Sequence, residues 1–262
     1  MTDEILKIIP DTEITISKQA EIDYPCMNNQ IRQIGKFPKA KSRMDQLSFF
    51  LSMISKGRFS ITREGKEFLY ILKEADLVLH APGGPSIGDI YDGEWQYLWR
   101  LNLIRRMKKP YMFYAPSMGP FKSGRHEKLR KRILLGAEKI IVRDPVSIRY
   151  VKDFMPQLDV EHAMDSALQH DIEESRLVGD YQNYTELNQF VNKYERIVGV
   201  TLTDLKWHPV YGKKDISFKI EKSFSEFIGK RLDEGYGILF IPQLYGEDND
   251  YDLMKKYMKK DG

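Results

Sequence analysis

A chain of 262 residues, 42% apolar and 30% charged, holds enough apolar material for one large domain or two modest ones. Its formal net charge of +3 is too small to argue for a nucleic-acid partner, and no apolar run is long enough to span a bilayer. The single cysteine, Cys26, excludes an internal disulfide and a cysteine-rich metal site; residues 1–7 do not read as a signal peptide, so a cytoplasmic location is expected.

Short apolar strands alternate with amphipathic helices along the chain. Residues 12–17 (TEITIS), rich in threonine and isoleucine, predict a strand. Met44, Leu47, Leu51 and Ile54 recur at helical spacing and predict a helix there. A second helix over 65–75 leads into a compact strand at 76–81 and then Gly83-Gly84. The helix predicted over 94–109 ends in basic residues that complement its dipole, and Pro110 separates it from a strand at 111–115. A helix over 125–137 ends at Gly136 and precedes a strand at 139–143. Asp144 as N-cap and Pro145 at the first helical position open a helix over 144–154. The alternation pauses between 162 and 184. It resumes with a helix at 185–193, a strand at 196–202, a helix at 218–234, a strand at 237–243 and a last helix from about 250.

Such alternation with short connections predicts parallel strands, right-handed crossovers and a doubly wound α/β sheet. A boundary near 165–185 gives a Rossmann-like domain over 1–175 and a partial one over 176–262, whose two strands make a thin core. Two basic clusters stand out: Arg100, Arg105, Arg106, Lys108 and Lys109, then Lys122, Arg125, Lys128, Arg130, Lys131 and Arg132. They read first as solvated helix faces; attraction to an anionic substrate, or a peripheral seat at the inner membrane face, is the alternative.

Ligands of open parallel sheets bind beyond the carboxyl ends of the strands, and four segments fall there. In HAPGGPSIGD (80–89), Gly83, Gly84 and Gly88 allow close backbone approach beside Ser86, and exposed amides can hold an anion; a ligand-free turn with positive φ is the competing reading. In APSMGPF (115–121), Ser117 and the amide of Gly119 can reach a substrate, or Pro116 and Pro120 only stiffen the loop. In VRDPVS (142–147), Arg143 is a forked cationic donor for carboxylate or phosphate, or it only pairs with Asp144. In IPQLYGEDND (241–250), Gln243 precedes three carboxylates that suit a cation, sugar hydroxyls or a solvated helix start. His80, His126, His162, His170 and His208 have no metal-ligand spacing, and His80 is the best placed, at a strand end. Trp95, Trp99 and Trp207 read as core or domain-interface residues.

Taken in order, these segments resemble the polysaccharide pyruvyltransferase family. ADLVLHAPGGPSIGD (75–89) is similar to the family's strand, glycine-rich loop and Gly-Asp; PYMFYAPSMGPF (110–121) resembles its second strand and loop. EKIIVRDPVSIRYVKDF (138–154) is similar to its Arg-Asp-x-x-Ser helix motif, the most specific of the set. HAMDSALQ (162–169) resembles its Asp-x-Ala segment, with Asp165 and Ala167, and RIVGVTLTD (196–204) and GILFIPQ (237–243) resemble the opening strands of its second domain. The likeness runs from about residue 2 to 258.

The resemblance implies two Rossmann-like domains in a GT-B-like arrangement, the second incomplete here. It implies transfer of the enolpyruvyl group of phosphoenolpyruvate to two hydroxyls of a sugar, in a cell-surface polysaccharide or a lipid-linked oligosaccharide precursor, with phosphoenolpyruvate as donor substrate and no further cofactor or metal. Arg143 is then the expected donor-binding residue, with Gly83, Gly84, Ser86, Ser117, Gly119 and Gln243 as substrate contacts. Against the family pattern the chain reads as shortened at both ends, without an Asn-x-Gly-Asp loop at its start or a late Arg-x-His. A nucleotide-sugar glycosyltransferase and a non-catalytic fragment or binding protein stay open as alternatives, as does a homo-oligomeric state.

Overall fold

A computed structural model describes residues 2–18, 28–39, 42–81, 83–90, 93–169, 183–203, 211–243 and 249–258. Cys26, His170, Trp207, His208 and positions 244–248 lie outside them. The chain divides into two compact units, Met1–His170 and Asp171–Gly262. Both are α/β with parallel strands.

The first unit opens with helix α1 (Thr2–Ile8) and strands β1 (Ile14–Ser17) and β2 (Ile31–Ile34), which pair in parallel with Ile14 opposite Ile31. Helices α2 (Arg43–Ile54) and α3 (Arg63–Glu74) follow. Then come β3 (Val78–His80), β4 (Gly83–Ile87), α4 (Glu94–Arg106), β5 (Tyr111–Tyr114), β6 (Pro116–Met118), α5 (Glu127–Leu135), β7 (Lys139–Val142), α6 (Pro145–Phe154) and β8 (Glu161–His162). Strands β3, β5, β7 and β8 form one parallel sheet in that order, with His80 opposite Phe113, Tyr114 opposite Ile141 and Val142 opposite His162. Helices α4, α5 and α6 supply the crossovers that parallel neighbours require. Their apolar faces bury Leu98, Leu103, Ile133, Leu134 and Val151 with Phe113 and Val142 of the strands. All four strands therefore end on one edge of the unit, where the loops collect.

Two elements differ from their sequence pattern. Helix α2 forms, capped by Ser42, but turns most of its predicted stripe outward: Met44, Leu47 and Ile54 are exposed and Leu51 is half-buried, while Asp45, Ser48, Phe49 and Ser52 are buried. The reason is the segment that folds back from it. Ser48 Oγ lies 2.6 Å from Ser60 Oγ and accepts from the amides of Ile61 and Thr62, and Ser52 Oγ donates to the carbonyls of Ser48 and Phe59. Small hydroxyl residues satisfied in this way are cheap to bury, and Phe49 anchors the same face against Phe37 and Trp99. The second difference is that residues 83–87 and 116–118 are not turns but the paired strands β4 and β6, with Gly83 opposite Pro116 and Ile87 opposite Met118. The Gly83-Gly84 pair lies in a strand, not in a turn.

The second unit contains α7 (Thr185–Lys193), β9 (Ile197–Val200), α8 (Lys214–Asp233), β10 (Gly237–Phe240) and α9 (Tyr251–Met258). Strands β9 and β10 run parallel with Ile197 opposite Gly237, over a core of Val200, Leu202, Ile228, Met254 and Tyr257.

Candidate active site at the strand ends of the first unit

The loop after β7 carries Arg143, and the sequence fixes it from both sides. Val142 before it is fully buried, and Asp144 after it caps α6, accepting from the Ser147 amide at 2.7 Å. Arg143 does not pair with Asp144. Its Nε donates to Ser117 Oγ at 2.9 Å and its Nη1 forms an ion pair with Asp165. Ser117 Oγ in turn donates to Asp144 Oδ2 at 2.9 Å, which Ser147 Oγ also approaches at 2.8 Å. The Met118 amide completes the chain by donating to Ser147 Oγ at 2.8 Å. Three segments far apart in sequence are thus joined at the ends of β6, β7 and β8. Arg143 keeps 27% of its side chain exposed, so the guanidinium is held in place without being sealed off.

Both carboxylates are tuned to stay ionised. Burial alone would raise Asp144, but hydrogen bonds from Ser147 and Ser117, with the charge of Arg143, hold it below the usual carboxylate range. The Ala167 amide, donating at 3.1 Å, does the most to lower Asp165; it outweighs burial, and Arg143 adds to it. Neither is suited to release a proton near neutral pH, so both act as anchors for Arg143.

Beneath this site the two glycine loops lock together. Gly119 adopts φ +89 and Gly88 φ +149, values that L side chains rarely take. A Cβ on Gly88 would stand 2.5 Å from the Gly119 carbonyl oxygen, and one on Gly119 would stand 2.6 Å from Tyr150 Cβ. The Gly119 amide is not open to a ligand: it donates to the Ile87 carbonyl at 2.8 Å, while the Asp89 amide donates to Pro120. Gly119 therefore shapes the loop and offers no amide.

Arg130 corrects the reading of the second basic cluster as a solvated face. It is 1% exposed, and its Nε and Nη2 form a fork on Glu94 at 2.8 Å each, while Nη1 reaches Asp89 at 2.8 Å. Glu94 Oε1 also accepts from the Gly88 amide at 2.9 Å. Burial would raise Asp89, but Ser123, Arg130 and the Lys122 amide together hold it low. Arg106 and Lys109 of the first cluster likewise cap the carbonyls of Met53 and Ala75. A run of basic residues carries no sign of which one turns inward.

Of the residues selected from sequence, Arg143 and Ser117 are brought together, and Gly83, Gly84 and Ser86 lie in β4 beside β6. Gln243 belongs to the second unit, where its amide donates to the buried Asp250 at 3.0 Å. Asp250 directly precedes α9, its backbone carbonyl accepting from the Met254 amide at 3.0 Å, and its side chain accepts from Thr203 as well; Trp99 stays 38% exposed, meeting Trp95 edge-on. Sequence reasoning gave no separate role to Ser147, which it met only as the serine of the Arg-Asp-x-x-Ser motif, three residues past an N-cap aspartate. Among the described residues, no three His, Cys, Asp or Glu side chains gather into a metal site, and no helix is long and apolar enough to cross a membrane.

A unit of parallel strands ending on an arginine held by one carboxylate and a serine is an α/β protein with an anion-competent strand-end site. The family model for polysaccharide pyruvyl transferase matches residues 14–258, nearly the whole chain, and the chain belongs to that family. Membership marks it as a transferase whose acceptor is a polysaccharide. No solved structure matches the chain.

Proposed function

We propose that the protein transfers the enolpyruvyl group of phosphoenolpyruvate to two hydroxyls of one sugar, in a cell-surface polysaccharide or its lipid-linked precursor, leaving a pyruvate ketal and inorganic phosphate. The observation that carries this reading is Arg143, a partly exposed guanidinium fixed at the end of β7 by Ser117 and Asp165. A permanently charged fork suits the carboxylate or phosphate of the donor better than lysine would. The donor carries several negative charges, and fixed positive charge at the strand ends offsets the cost of bringing it out of water.

The chemistry follows from the donor. A proton added to the methylene carbon makes the neighbouring carbon oxocarbenium-like, and a sugar hydroxyl attacks it. Loss of phosphate and attack by the second hydroxyl close the ketal, and the two hydroxyl protons balance the one taken up by carbon and the one carried away. The Arg143 charge acts where the anion sits, and Ser117 and Asp165 keep the guanidinium oriented throughout. Strand β4, with Gly83, Gly84 and Ser86, lies next to β6 and Ser117 and is the near wall for the substrate. Gln243 is kept as a proposed substrate contact. The same reading takes the two α/β units as the Rossmann-like domains of a GT-B-like enzyme working in the cytoplasm.

Calorimetric titration of the full chain with phosphoenolpyruvate, with a nucleotide sugar as the comparison ligand, tests it. Selective binding of phosphoenolpyruvate, lost in Arg143→Ala with the fold intact, is the expected result. Preference for the nucleotide sugar, or unchanged affinity in Arg143→Ala, overturns it.

A further inference from the structure

A second group of cations lies at the carboxyl ends of β2 and β3, away from Arg143. Strand β3 is two places from β7 in the sheet, so at the usual strand spacing the ends of those two strands are roughly 10 Å apart. Arg100, on α4, donates through Nε to the Phe37 carbonyl at 2.8 Å. Its Nη2 is buried and meets no acceptor among the described residues. Lys36, the residue before Phe37, is half-buried, and no carboxylate among the described residues pairs with either cation. The guanidinium carbon lies 5.9 Å from the Tyr97 ring centroid, and Tyr97 meets His80 edge-on at 5.8 Å.

This arrangement is unfavourable as it stands. A buried guanidinium normally has every donor answered, and two like charges are not normally brought together without an acid between them. The strain registers on the neighbours: burial first, and the charge of Arg100 second, lower the pKa of both Lys36 and His80. An anion between Lys36 and Arg100 would remove the strain. Charge matching selects the anion, because two cations beside a neutral imidazole balance a dianion, whereas a carboxylate leaves one positive charge over. A tetrahedral phosphate also presents enough oxygens for the guanidinium edge and the lysine ammonium together.

We propose that Lys36 and Arg100 form a phosphate-binding site, distinct from Arg143, that takes a phosphate monoester or diphosphate group. On the function proposed above, that phosphate belongs either to the donor or to a phosphorylated acceptor. The site itself does not depend on that reading.

The test titrates inorganic pyrophosphate into the full chain and into Lys36→Gln, Arg100→Gln and Arg143→Ala, by calorimetry and by the shift in melting temperature. The expected result is binding by the wild type, at least tenfold weakening in Lys36→Gln and Arg100→Gln, and unchanged affinity in Arg143→Ala. Lys36→Gln should also melt higher than the wild type in ligand-free buffer, because the repulsion is gone, and should lose the rise that pyrophosphate gives the wild type. That variant keeps the proposal testable if Arg100→Gln folds poorly. Absence of binding by the folded wild type, affinity unchanged in Lys36→Gln, or equal weakening in Arg143→Ala would overturn it. Displacement of pyrophosphate from the wild-type chain by phosphoenolpyruvate assigns the site to the donor, and displacement by a hexose 1-phosphate assigns it to the acceptor. A wild-type chain that binds pyrophosphate through Lys36 and Arg100 but does not bind phosphoenolpyruvate separates failure of the Arg143 reading from failure of this one.

Discussion

Replacing Glu94 by alanine should be among the most damaging single changes in the first unit. The side chain is fully buried, and it takes both bonds of the fork that holds Arg130, itself 1% exposed, besides the Gly88 amide. The variant leaves Arg130 with Asp89 alone and leaves one backbone donor of the glycine loop unanswered. Removing one partner of a buried pair costs about 3–5 kcal/mol, mostly as the penalty of the charge left behind. In a unit the size of Met1–His170, each kcal/mol lowers the melting temperature by roughly 2–4 °C, so the expected drop is about 6–20 °C. Thermal melts of the full chain by far-ultraviolet circular dichroism read it directly. Glu94→Gln keeps the shape and an acceptor for Gly88 but not the charge, and should fall between. A loss below about 1 kcal/mol in Glu94→Ala would show that Arg130 finds water there, and the reasoning about its burial would fail.

Three more outcomes are expected. Gly119→Ala forces a Cβ into the Tyr150 side chain at a backbone conformation it disfavours, and should cost about 2–4 kcal/mol; a melt within about 1 kcal/mol of wild type would refute the clash. Asp144→Ala removes the cap of α6 and frees Ser117, so a stability loss of about 1–2 kcal/mol should accompany weaker phosphoenolpyruvate binding; full affinity would separate Ser117 from the hold on Arg143. His80 is held down at about 4 from 6.5, by burial and then by Arg100, so the unfolded chain takes up this proton first. Stability should be complete above about pH 6.5 and fall by up to about 3 kcal/mol as the pH drops to about 4, in denaturant titrations at stepped pH. His80→Gln should flatten that slope, and a slope that survives the substitution assigns it to another group. The anchored aspartates act later: their pKa values are lowered, so their contribution disappears only as the pH falls through and below the carboxylate range.

Where the chain's local signals and its tertiary packing agree, the sequence was readable. Helix α6 begins where Asp144 and Pro145 say it must, and β5 and β7 are apolar runs bounded by helices. Helix α2 was visible as a helix but not in its orientation, because the partners that make Ser48 and Ser52 cheap to bury come from a segment with no period of its own. Strands β2, β4 and β6 escaped for a related reason. Each is three to five residues long, and β4 and β6 hold glycine and proline, which suppress the alternation that marks a strand. Arg143 stood out because a charge closing an apolar strand is conspicuous. Its anchor Asp165 lies 22 positions along the chain, and no local pattern connects them.

The contact between Gly88 and Gly119 has a consequence for how this protein can diverge. A side chain at position 88 would strike the backbone at 119, and one at 119 would strike Tyr150, so neither glycine can be lost while the other two positions stay as they are. Positions 88, 119 and 150 are therefore expected to change together. Relatives that keep the β4–β6 ribbon should carry glycine at both loop positions even where the residues between them drift. A relative lacking one glycine should show a rebuilt ribbon, and with it a different near wall beside the arginine.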